Sequence, residues 1–513
     1  MPETIRLTRD IPIVADVDVL VAGGGIAGVT AALAAAREGA RVVLVDRFGY
    51  LGGNMGPGMF SGGVVHLALK YPLAMLDRIK GIPGEIVNRA EGFSGAQLGR
   101  NYLKDHQSVS YVLFKMMEEN GVELMLNTYA ADPIIKDGAV TGLVVQNKSG
   151  TQAVRAKVTV DGTADADVAF RAGCPTAGGE KYVHPGMWFA IGNVDGDRYG
   201  AWLAENEPQP ENVDWCRDTA KQLGASIPER NLAFCDLYRR AWFLGEYMFV
   251  KAIENVGAVW PDHGIAHEAV DGIVSAQLGV HGPDVQSGDA AMMTKIEIAC
   301  RVYIFETAQF MRRHVPGFEN SYLYNVSPYF HTRGGRAILG EYVMTDEDFA
   351  AGRRFDDTIF ENYAHERTPA VEGGCDFPYR QLIPKKIEGL ICAGKSAILQ
   401  PPTNRTRWKC FLMGQAAGVA AAMAARKGEP PGKIDVKELQ RKLYFKYHTS
   451  LGPPERLVEL GLESPDAAVV RYPLPTPLKK ERKKSPQRPK PKTGYRLGKE
   501  WRARPAEGGE RTT

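Results

Sequence analysis

The sequence predicts an α/β fold in which a mostly parallel sheet forms one domain and an α+β domain is inserted into it. Three observations predict this fold. At 513 residues the chain is longer than one hydrophobic core usually organises. Residues 17–22 (VDVLVA) and 42–46 (VVLVD) contain apolar runs typical of strands buried on both faces of a parallel sheet. A second strand, loop and small-residue helix pattern returns only after residue 390.

The first strand, helix and strand occupy about thirty residues. Residues 26–38 are rich in alanine and leucine, which predicts the helix, and Gly39 ends it. Residues 109–120 predict an amphipathic helix that Gly121 ends. Residues 139–161 alternate in strand fashion around a turn, which predicts a β-hairpin or a three-stranded ribbon.

The middle of the chain is irregular and more aromatic, with helical stretches predicted near 233–256 and 289–313. The apolar run at 390–393 (LICA) and a small-residue helix from Gly414 to Arg426 then predict a return to the first domain. The predicted units are 1–180 and 331–430 for the nucleotide-binding domain, 181–330 for a substrate or cap domain, 431–469 for a helical extension, and 470–513 for a tail.

The tail is basic and the remainder of the chain is mildly acidic. Residues 469–513 hold 14 Lys and Arg against 4 Asp and Glu, although the whole chain has a net charge of only +3. The tail composition can bury little and predicts disorder.

The sequence shows neither a leader pattern nor an apolar run approaching the roughly 20 residues that span a bilayer. With seven cysteines and no Cys-x-x-Cys pair, we expect a cytoplasmic protein without membrane contact, and homo-oligomerisation stays open.

Gly23, Gly25 and Gly28 form a G-x-G-x-x-G pattern between the first strand and its helix. Gly23 allows the tight turn, Gly25 lets a pyrophosphate approach the backbone, and Gly28 lets the helix pack on the strand, as in a Rossmann-like domain. Asp46 follows Gly28 by 18 residues, where a ribose hydroxyl would be bound. Because the carboxylate would repel a 2′-phosphate, the pattern favours FAD or NAD over NADP.

Further features favour FAD over NAD. A second glycine pair, Gly52 and Gly53, follows Asp46 closely, so the backbone again has room beside a cofactor. The chain is several hundred residues longer than one nucleotide-binding domain, and its C-terminal part resumes the strand, loop and helix pattern. The sequence contains no second G-x-G-x-x-G, so we expect no separate NAD(P)H domain.

Four segments together resemble the FAD-dependent oxidoreductase family: VAGGGIAG, FGYLGGN, HTRGGRAILGEYVMTDEDFAAGRRFDD and GLICAGKSAILQPPTNRTRWKCFLMGQAAGVAAAMAARKG. The wider relatives of these glutathione-reductase-like flavoproteins include fumarate reductase flavoproteins, ketosteroid dehydrogenases and the flavoprotein of tRNA wobble-uridine modification. The similarity runs from about residue 15 to 430 and is thinner between 185 and 285. It implies a Rossmann-like FAD-binding domain with an inserted α+β substrate or cap domain.

The resemblance also carries departures from the family pattern. The family's AGR tripeptide corresponds to residues 393–395, where Lys395 replaces arginine. Its ATGD turn corresponds to 162–165, where Ala164 replaces a glycine, and its RESRR run corresponds to 333–337, which keeps two arginines. Its arginine, cysteine and GQAAG run matches Arg405, Cys410 and residues 414–418.

The predicted FAD-binding residues come from these motifs and from the positions beside them. They are Gly23, Gly25, Ile26, Ala27, Gly28, Asp46, Arg47, Gly52, Gly53, Asn54, Ala130, Thr163, Asp165, Gly394, Lys395, Gly414, Gln415, Ala416, Ala417 and Gly418. A helix beginning near Gly414 would direct the positive end of its dipole at the pyrimidine edge of the flavin.

Hydride transfer needs a group that handles the accompanying proton and donors that fix the substrate. The candidates at the return to the first domain are His331, Arg333 and Arg336, and those flanking the flavin-proximal run are Tyr379 and Arg405. His66 is a weaker candidate.

Two other features are assigned no chemical role. His263 and His267 are four apart, but Gly264 lies between them and no third ligand follows, so we expect no metal site. Cys410 stands beside Phe411 and Leu412, and we expect it to be packed in the interior.

The sequence therefore predicts an FAD-dependent oxidoreductase that transfers a hydride between a small organic substrate and the flavin. Oxygen, a quinone or a carrier protein would be the other electron partner. Two alternatives stay open: a tRNA- or RNA-modifying flavoprotein, suggested by the basic tail, and a non-catalytic flavin-binding protein, suggested by Ala164, Lys395 and Ala337. The acidic body argues against a nucleic-acid partner.

Overall fold

The structure is a computed structural model that describes residues 4–56, 58, 80–94, 106–178, 185–262, 265–266, 272–282, 285–362, 374–399 and 407–462. The predicted disordered tail at 470–513 lies outside these residues. The same is true of four predicted positions: His66, His263, His267 and Arg405.

The described strands are β1 (Ile13–Ala22), β2 (Val42–Val45), β3 (Glu123–Met125), β4 (Tyr129–Lys136), β5 (Ala139–Asn147), β6 (Gly150–Asp161), β7 (Thr176–Ala177), β8 (Gly186–Gly192), β9 (Lys251–Ile253), β10 (Gly257–Trp260), β11 (Val274–His281), β12 (Tyr322–Val326), β13 (Ala337–Ile338), β14 (Thr358–Asn362), β15 (Cys375–Pro378) and β16 (Leu390–Cys392).

The described α-helices are α1 (Ile26–Arg37), α2 (Gly81–Ser94), α3 (His106–Glu119), α4 (Asp167–Arg171), α5 (Gly196–Glu205), α6 (Pro210–Gln222), α7 (Cys235–Phe243), α8 (Ala290–His314), α9 (Asp346–Ala350), α10 (Arg407–Lys427), α11 (Val436–Arg441) and α12 (Pro454–Glu459).

The first sheet confirms the α/β fold class. Its strand order is β3-β2-β1-β6-β5-β4, with β16 also paired to β6. The pairs β1–β2, β1–β6, β2–β3 and β6–β16 are parallel. All four residues of β2 are buried, as expected for a strand covered on both faces. The antiparallel pairs β4–β5 and β5–β6 confirm the predicted three-stranded ribbon.

Helices α1 and α10 pack directly on each other through small residues. A Cβ atom placed on Gly414 would lie 2.1 Å from the carbonyl oxygen of Ala27, and one on Gly418 would lie 2.1 Å from that of Ala31. Only glycine permits backbones to approach this closely. The predicted helix start near Gly414 is wrong, because α10 begins at Arg407 and Gly414 lies well inside it.

The second sheet is antiparallel, with strand order β12-β8-β11-β10-β9, and α8 packs against it. Helix α8 confirms the helix predicted over 289–313. The helix predicted over 233–256 is wrong beyond Phe243, where α7 ends. Gly245 has a φ of 70°, and β9 and β10 form a hairpin around Asn255, whose φ is 59°.

Each sheet has its own hydrophobic core. The core of the first sheet joins α1, α3, α10 and the strands around them. The core of the second sheet lies within residues 187–318 and is rich in aromatic side chains. In β8 the side chains of Met187, Phe189 and Ile191 belong to this second core, and Trp188 between them does not. Because side chains alternate along a strand, Trp188 points to the opposite face of the sheet.

Glu38 holds the C-terminal segment to the end of α1. Its carboxylate accepts from Nζ of Lys442 at 2.8 Å, Nζ of Lys446 at 2.7 Å and the hydroxyl of Tyr447 at 3.0 Å. Only 3% of the Glu38 side chain is exposed. Burial raises the pKa of Glu38, but the hydrogen bonds and charges of the two lysines outweigh it and leave the pKa below its usual value. The carboxylate is therefore stabilised in its charged form.

Candidate functional site

The three glycines of the loop between β1 and α1 differ in what requires a residue without a side chain at each position. Gly23 has a φ of 103°, and a Cβ atom on Gly28 would lie 1.7 Å from the carbonyl oxygen of Gly23. Both are therefore required by the fold itself. Gly25 has a φ of −73°, which any residue adopts. A Cβ on Gly25 would meet no atom of the described residues within 4 Å, which leaves room for a ligand at this position.

The N-terminus of α1 fits a phosphate group. Gly25 is its N-cap, and within the described part of the chain no side chain caps this end and no acidic residue stands in the first turn. The first N–H groups of an α-helix have no partner within the helix, and the helix dipole favours an anion beside them. The predicted contacts through Ile26 and Ala27 lie at this end, so these residues suit the pyrophosphate of FAD.

Asp46 directly follows β2 and lies beside the glycine loop. Its carboxylate accepts from the backbone N–H of Gly24 and from that of Phe48, the latter at 2.7 Å. Burial raises the pKa of Asp46, although both hydrogen bonds oppose the change. Each carboxylate oxygen can accept more than one hydrogen bond, so Asp46 can still bind a ribose hydroxyl. The neighbouring Arg47 lies 4.6 Å over the ring of Phe48.

The second glycine pair lies directly against the first. The N–H of Gly52 donates to the carbonyl of Gly24 at 2.9 Å, and a Cβ on Gly53 would be 3.2 Å from Cα of Gly25. Asn54 accepts through Oδ1 from the hydroxyl of Tyr329 at 3.0 Å. The structure therefore brings the two predicted glycine motifs together.

Tyr329 is a residue of this site that the sequence did not reveal. Its ring stacks on Phe48 with 4.9 Å between ring centroids, and Tyr50 lies parallel to both. Burial raises the pKa of Tyr329, with the nearby Tyr50 and Asp46 adding to the effect. Tyr329 follows β12 and reaches the glycine loops, so the segment after the second sheet contributes to the nucleotide-binding side. Tyr329 is one of many aromatic residues in this part of the chain, so no sequence pattern distinguished it.

The turn after β6 is organised by Asp161. This fully buried carboxylate accepts from N and Oγ1 of Thr163 at 3.0 and 2.7 Å, and from N of Ala169 at 3.0 Å. Ala164 has a φ of 77°, a left-handed conformation in which glycine is the favoured residue. Thr163, a predicted FAD contact, is thus held in place by Asp161, which was not predicted.

Lys395 joins three segments of the chain. Its Nζ donates to Oδ1 of Asp165 at 2.9 Å, to Oγ1 of Thr332 at 2.7 Å and to the carbonyl of Gly334 at 2.8 Å. An ammonium group has three protons, so all its donors are used. The predicted flavin contact of Lys395 stays a prediction, and the side chain ties residues 332–334 to the turn after β6.

Gly394 brings the returning segment to the glycine loop. Its φ is 70°, and a Cβ atom there would lie 2.7 Å from Cβ of Ala27. Cys410 is buried in the first core, which confirms that it is packed. The geometry therefore joins Gly394 with the start of α1, as the order of motifs predicted.

The flavin contacts predicted for residues 414–418 stay predictions, and the structure shows what these residues contact within the protein. Gly414 and Gly418 accommodate α1, and Ala416 and Ala417 are fully buried. Gln415 accepts from N of Ile82 at 2.9 Å and donates to Thr449 at 2.9 Å. These residues lie in the middle of α10 and not at its N-terminus. They pack this helix against its neighbours.

Two of the predicted catalytic residues have structural partners instead. The Tyr379 side chain lies in the first core, 3% exposed, with its hydroxyl donating to the carbonyl of Pro431 at 2.8 Å. Arg336 donates from Nε to the carbonyl of Asp165 at 2.8 Å, pairs with Asp167 at 2.5 Å and lies 3.9 Å over the ring of Phe170. Both side chains have partners within the fold, and the predicted catalytic roles of Tyr379 and Arg336 stay predictions.

His331 and Arg333 flank the segment that Lys395 holds. His331 forms an isolated antiparallel bridge with Gly186 of β8, with both N–H to carbonyl distances at 2.8 Å. Its Nε2 lies 3.3 Å from Nε2 of Gln277. Arg333 lies between Thr332 and Gly334, which both bind Lys395. These two remain the candidates nearest to the junction of the two sheets.

The remaining predicted contact, Ala130, pairs with Val145 in the first sheet. Its carbonyl accepts from Arg171 at 2.8 Å.

In the part of the chain that the structure describes, no group of three or more His, Cys, Asp or Glu side chains could hold a metal ion. Among the same residues, no helix is both long enough and apolar enough to cross a bilayer.

Comparison with known proteins gives a family match over most of the chain. The model of a family described as FAD dependent oxidoreductase matches residues 18–443. Digeranylgeranylglycerophospholipid reductase 2 of Methanothermobacter thermautotrophicus is 28% identical over 188 residues, covering 35% of this chain and 48% of that protein. Thiamine thiazole synthase of Methanococcus aeolicus is 29% identical over 164 residues, covering 30% and 57%. The chain thus spans about half the length of the curated relatives it matches.

A solved structure is also similar. It is a geranylgeranyl bacteriochlorophyll reductase-like protein from Thermoplasma acidophilum, with 13% identity, 84% of each chain covered and a TM-score of 0.39.

Proposed function

Because the chain belongs to the FAD-dependent oxidoreductase family, an enzyme family with FAD as its cofactor, we propose that it transfers a hydride between a small organic substrate and the flavin. FAD, when bound, supplies a ring system that accepts or gives a hydride. The open space at Gly25 and the uncapped start of α1 fit its pyrophosphate.

One observation supports hydride transfer in addition to cofactor binding. Lys395 ties Thr332 and Gly334 to the turn after β6, while the adjacent Gly394 lies against Ala27. This supports a position of the segment with His331 and Arg333 beside the proposed FAD-binding residues. Two charge-assisted hydrogen bonds from Lys395 hold the segment, and such preorganisation is what a catalytic side chain requires.

The proposed roles of the chain's own residues follow from this arrangement. Gly25 and the first N–H groups of α1 hold the pyrophosphate, and Asp46 accepts from the ribose. His331 moves the proton that accompanies the hydride, through its imidazole, and Arg333 fixes an anionic or carbonyl group of the substrate. We assign residues 181–330 to the substrate domain, and the position of the second core within 187–318 supports this assignment.

The alternatives have different support. Reduction of a double bond in a prenyl chain is a second candidate, favoured by the identity to digeranylgeranylglycerophospholipid reductases, 28% in Methanoculleus marisnigri over 52% of that protein. The RNA-modifying alternative rests on the basic tail and on the resemblance to a family that includes tRNA-modifying flavoproteins. Two of the observations behind the non-catalytic alternative have a structural explanation, because Lys395 holds a segment in place and Ala164 adopts a left-handed conformation that glycine favours.

The test is an anaerobic screen of the FAD-loaded protein. Alcohols, ketones, carboxylic acids and short prenyl alcohols would each be mixed with the protein while flavin absorbance is followed. We expect one class to bleach the flavin and His331→Asn to slow the bleaching at unchanged FAD content. If every class leaves the flavin oxidised, and the reduced protein is not reoxidised by any of the matching products, the proposed function is wrong.

A further inference from the structure

Gln277 lies on the face of the second sheet that points away from its own core. It is part of β11, where its neighbours Ala276 and Leu278 belong to the second core. Gln277 therefore points to the other face and is paired directly with Trp188 of β8. Only 1% of Gln277 is exposed.

The amide of Gln277 has more hydrogen-bonding capacity than its neighbours use. Its Nε2 lies 3.3 Å from Nε2 of His331, and within the described residues no donor reaches its Oε1. A polar atom of a buried amide that has no protein partner costs about 1–3 kcal/mol in a closed interior.

The position of the pair is defined by the neighbouring contacts. His331 is bridged to Gly186 of β8, and the next residue, Thr332, accepts from Lys395. Lys395 in turn contacts Asp165 in the turn after β6. The pair thus lies where the second sheet meets the segments that surround the FAD-binding residues.

Gly186 provides the space for this pair. A Cβ atom on Gly186 would lie 2.6 Å from Nε2 of Gln277 and 3.1 Å from Cε1 of His331. Every residue larger than glycine would therefore push the amide or the imidazole aside. The chain keeps a small residue where two polar side chains must stand together.

We infer that Gln277 and His331 form a polar subsite that binds a hydroxyl or carbonyl group of the substrate, with Trp188 beside it. The inference rests on the proposed function and narrows its substrate class. A carbonyl can accept the second N–H of Nε2 of Gln277, and a hydroxyl can donate to the unpaired Oε1. A bare hydrocarbon chain would leave that atom unpaired and would be disfavoured.

The experiment compares three probes with one carbon skeleton: 1-phenylethanol, acetophenone and ethylbenzene. Binding to the FAD-loaded protein is followed by perturbation of the flavin spectrum and by tryptophan fluorescence. We expect the two oxygenated probes to bind at least about tenfold more tightly than ethylbenzene, as for one buried hydrogen bond. Gln277→Leu should abolish this preference.

Gln381 provides the matched control. It is 2% exposed, and its amide is fully engaged, with Nε2 donating to Ala397 at 3.0 Å and Oε1 accepting from Met344 at 3.3 Å. Gln381→Leu should lower the Tm and keep the probe preference. Gln277→Leu should keep or raise the Tm, because it removes a polar atom without a protein partner.

Three results would overturn the inference: equal binding of all three probes to the native protein, an unchanged preference in Gln277→Leu, or a loss of Tm in Gln277→Leu as large as in Gln381→Leu. Probe binding needs no turnover. If the oxygenated probes bind more tightly but no substrate bleaches the flavin, the proposed function is contradicted and the subsite is still supported. If a substrate bleaches the flavin but the three probes bind equally, the subsite is contradicted and the proposed function is still supported.

Discussion

Replacing Gly25 by alanine should weaken FAD binding without harming the fold. The φ of −73° at Gly25 is allowed for alanine, and the added Cβ meets no described atom within 4 Å. The apoprotein should therefore keep its stability or gain about 0.4–1 kcal/mol, because alanine has less freedom in the unfolded chain. A ligand packed against this backbone would be overpacked by about 1–3 kcal/mol, which weakens FAD binding roughly 5- to 150-fold.

The assay measures two quantities on each variant: the free energy of unfolding of apoprotein in urea, and the FAD dissociation constant by flavin fluorescence. Gly28→Ala is the matched control, because its Cβ would lie 1.7 Å from the carbonyl of Gly23 and must disturb the fold. We expect Gly28→Ala to unfold more readily and Gly25→Ala to remain stable with weak FAD binding. Native FAD affinity in Gly25→Ala, or equal loss of stability in both variants, would refute the reasoning.

Three further predictions concern stability. Ala164→Gly should stabilise the protein by about 0.5–1 kcal/mol in urea unfolding, since glycine relieves the left-handed φ of 77°; a loss of stability would contradict it. Glu38→Gln should destabilise by about 1–3 kcal/mol at neutral pH. Because the pKa of Glu38 is lowered in the folded state, this difference should be constant above about pH 5 and disappear as the pH falls through the folded pKa, below 4.5; an equal difference at every pH would count against it. Lys395→Met should lower the unfolding free energy by about 2–3 kcal/mol, since Asp165 loses its ion pair, while Lys395→Arg should recover part of the loss.

Most of the first sheet could be predicted from the sequence because local patterns determine it. The buried runs of β1 and β2, the glycine turn and the small residues of α1 are all local signals. The same holds for the ribbon and for α8. The error at 233–256 has a local cause too: Gly245 and the turn at Asn255 interrupt what composition alone presents as one helix.

The candidate site was predictable in its glycines and less so in its side chains. Small residues at 414–418 predict a close approach, but the sequence does not say whether a cofactor or α1 makes it, and in the structure α1 does. The roles of Tyr329 and Gln277 depend on partners far away in the chain, Asn54 and His331. These contacts form only when distant strands pair and when the chain returns to the first domain. No local sequence pattern therefore predicts them.

The most direct test of the central claim is anaerobic mixing of the FAD-loaded protein with hydroxyl- and carbonyl-bearing substrates, with dithionite reduction as the reference for full bleaching. The account predicts that at least one substrate bleaches the flavin to the dithionite level while losing two electrons, and that His331→Asn slows the reaction. Flavin that dithionite reduces completely but that no substrate reduces, and no matching product reoxidises, would contradict the claim.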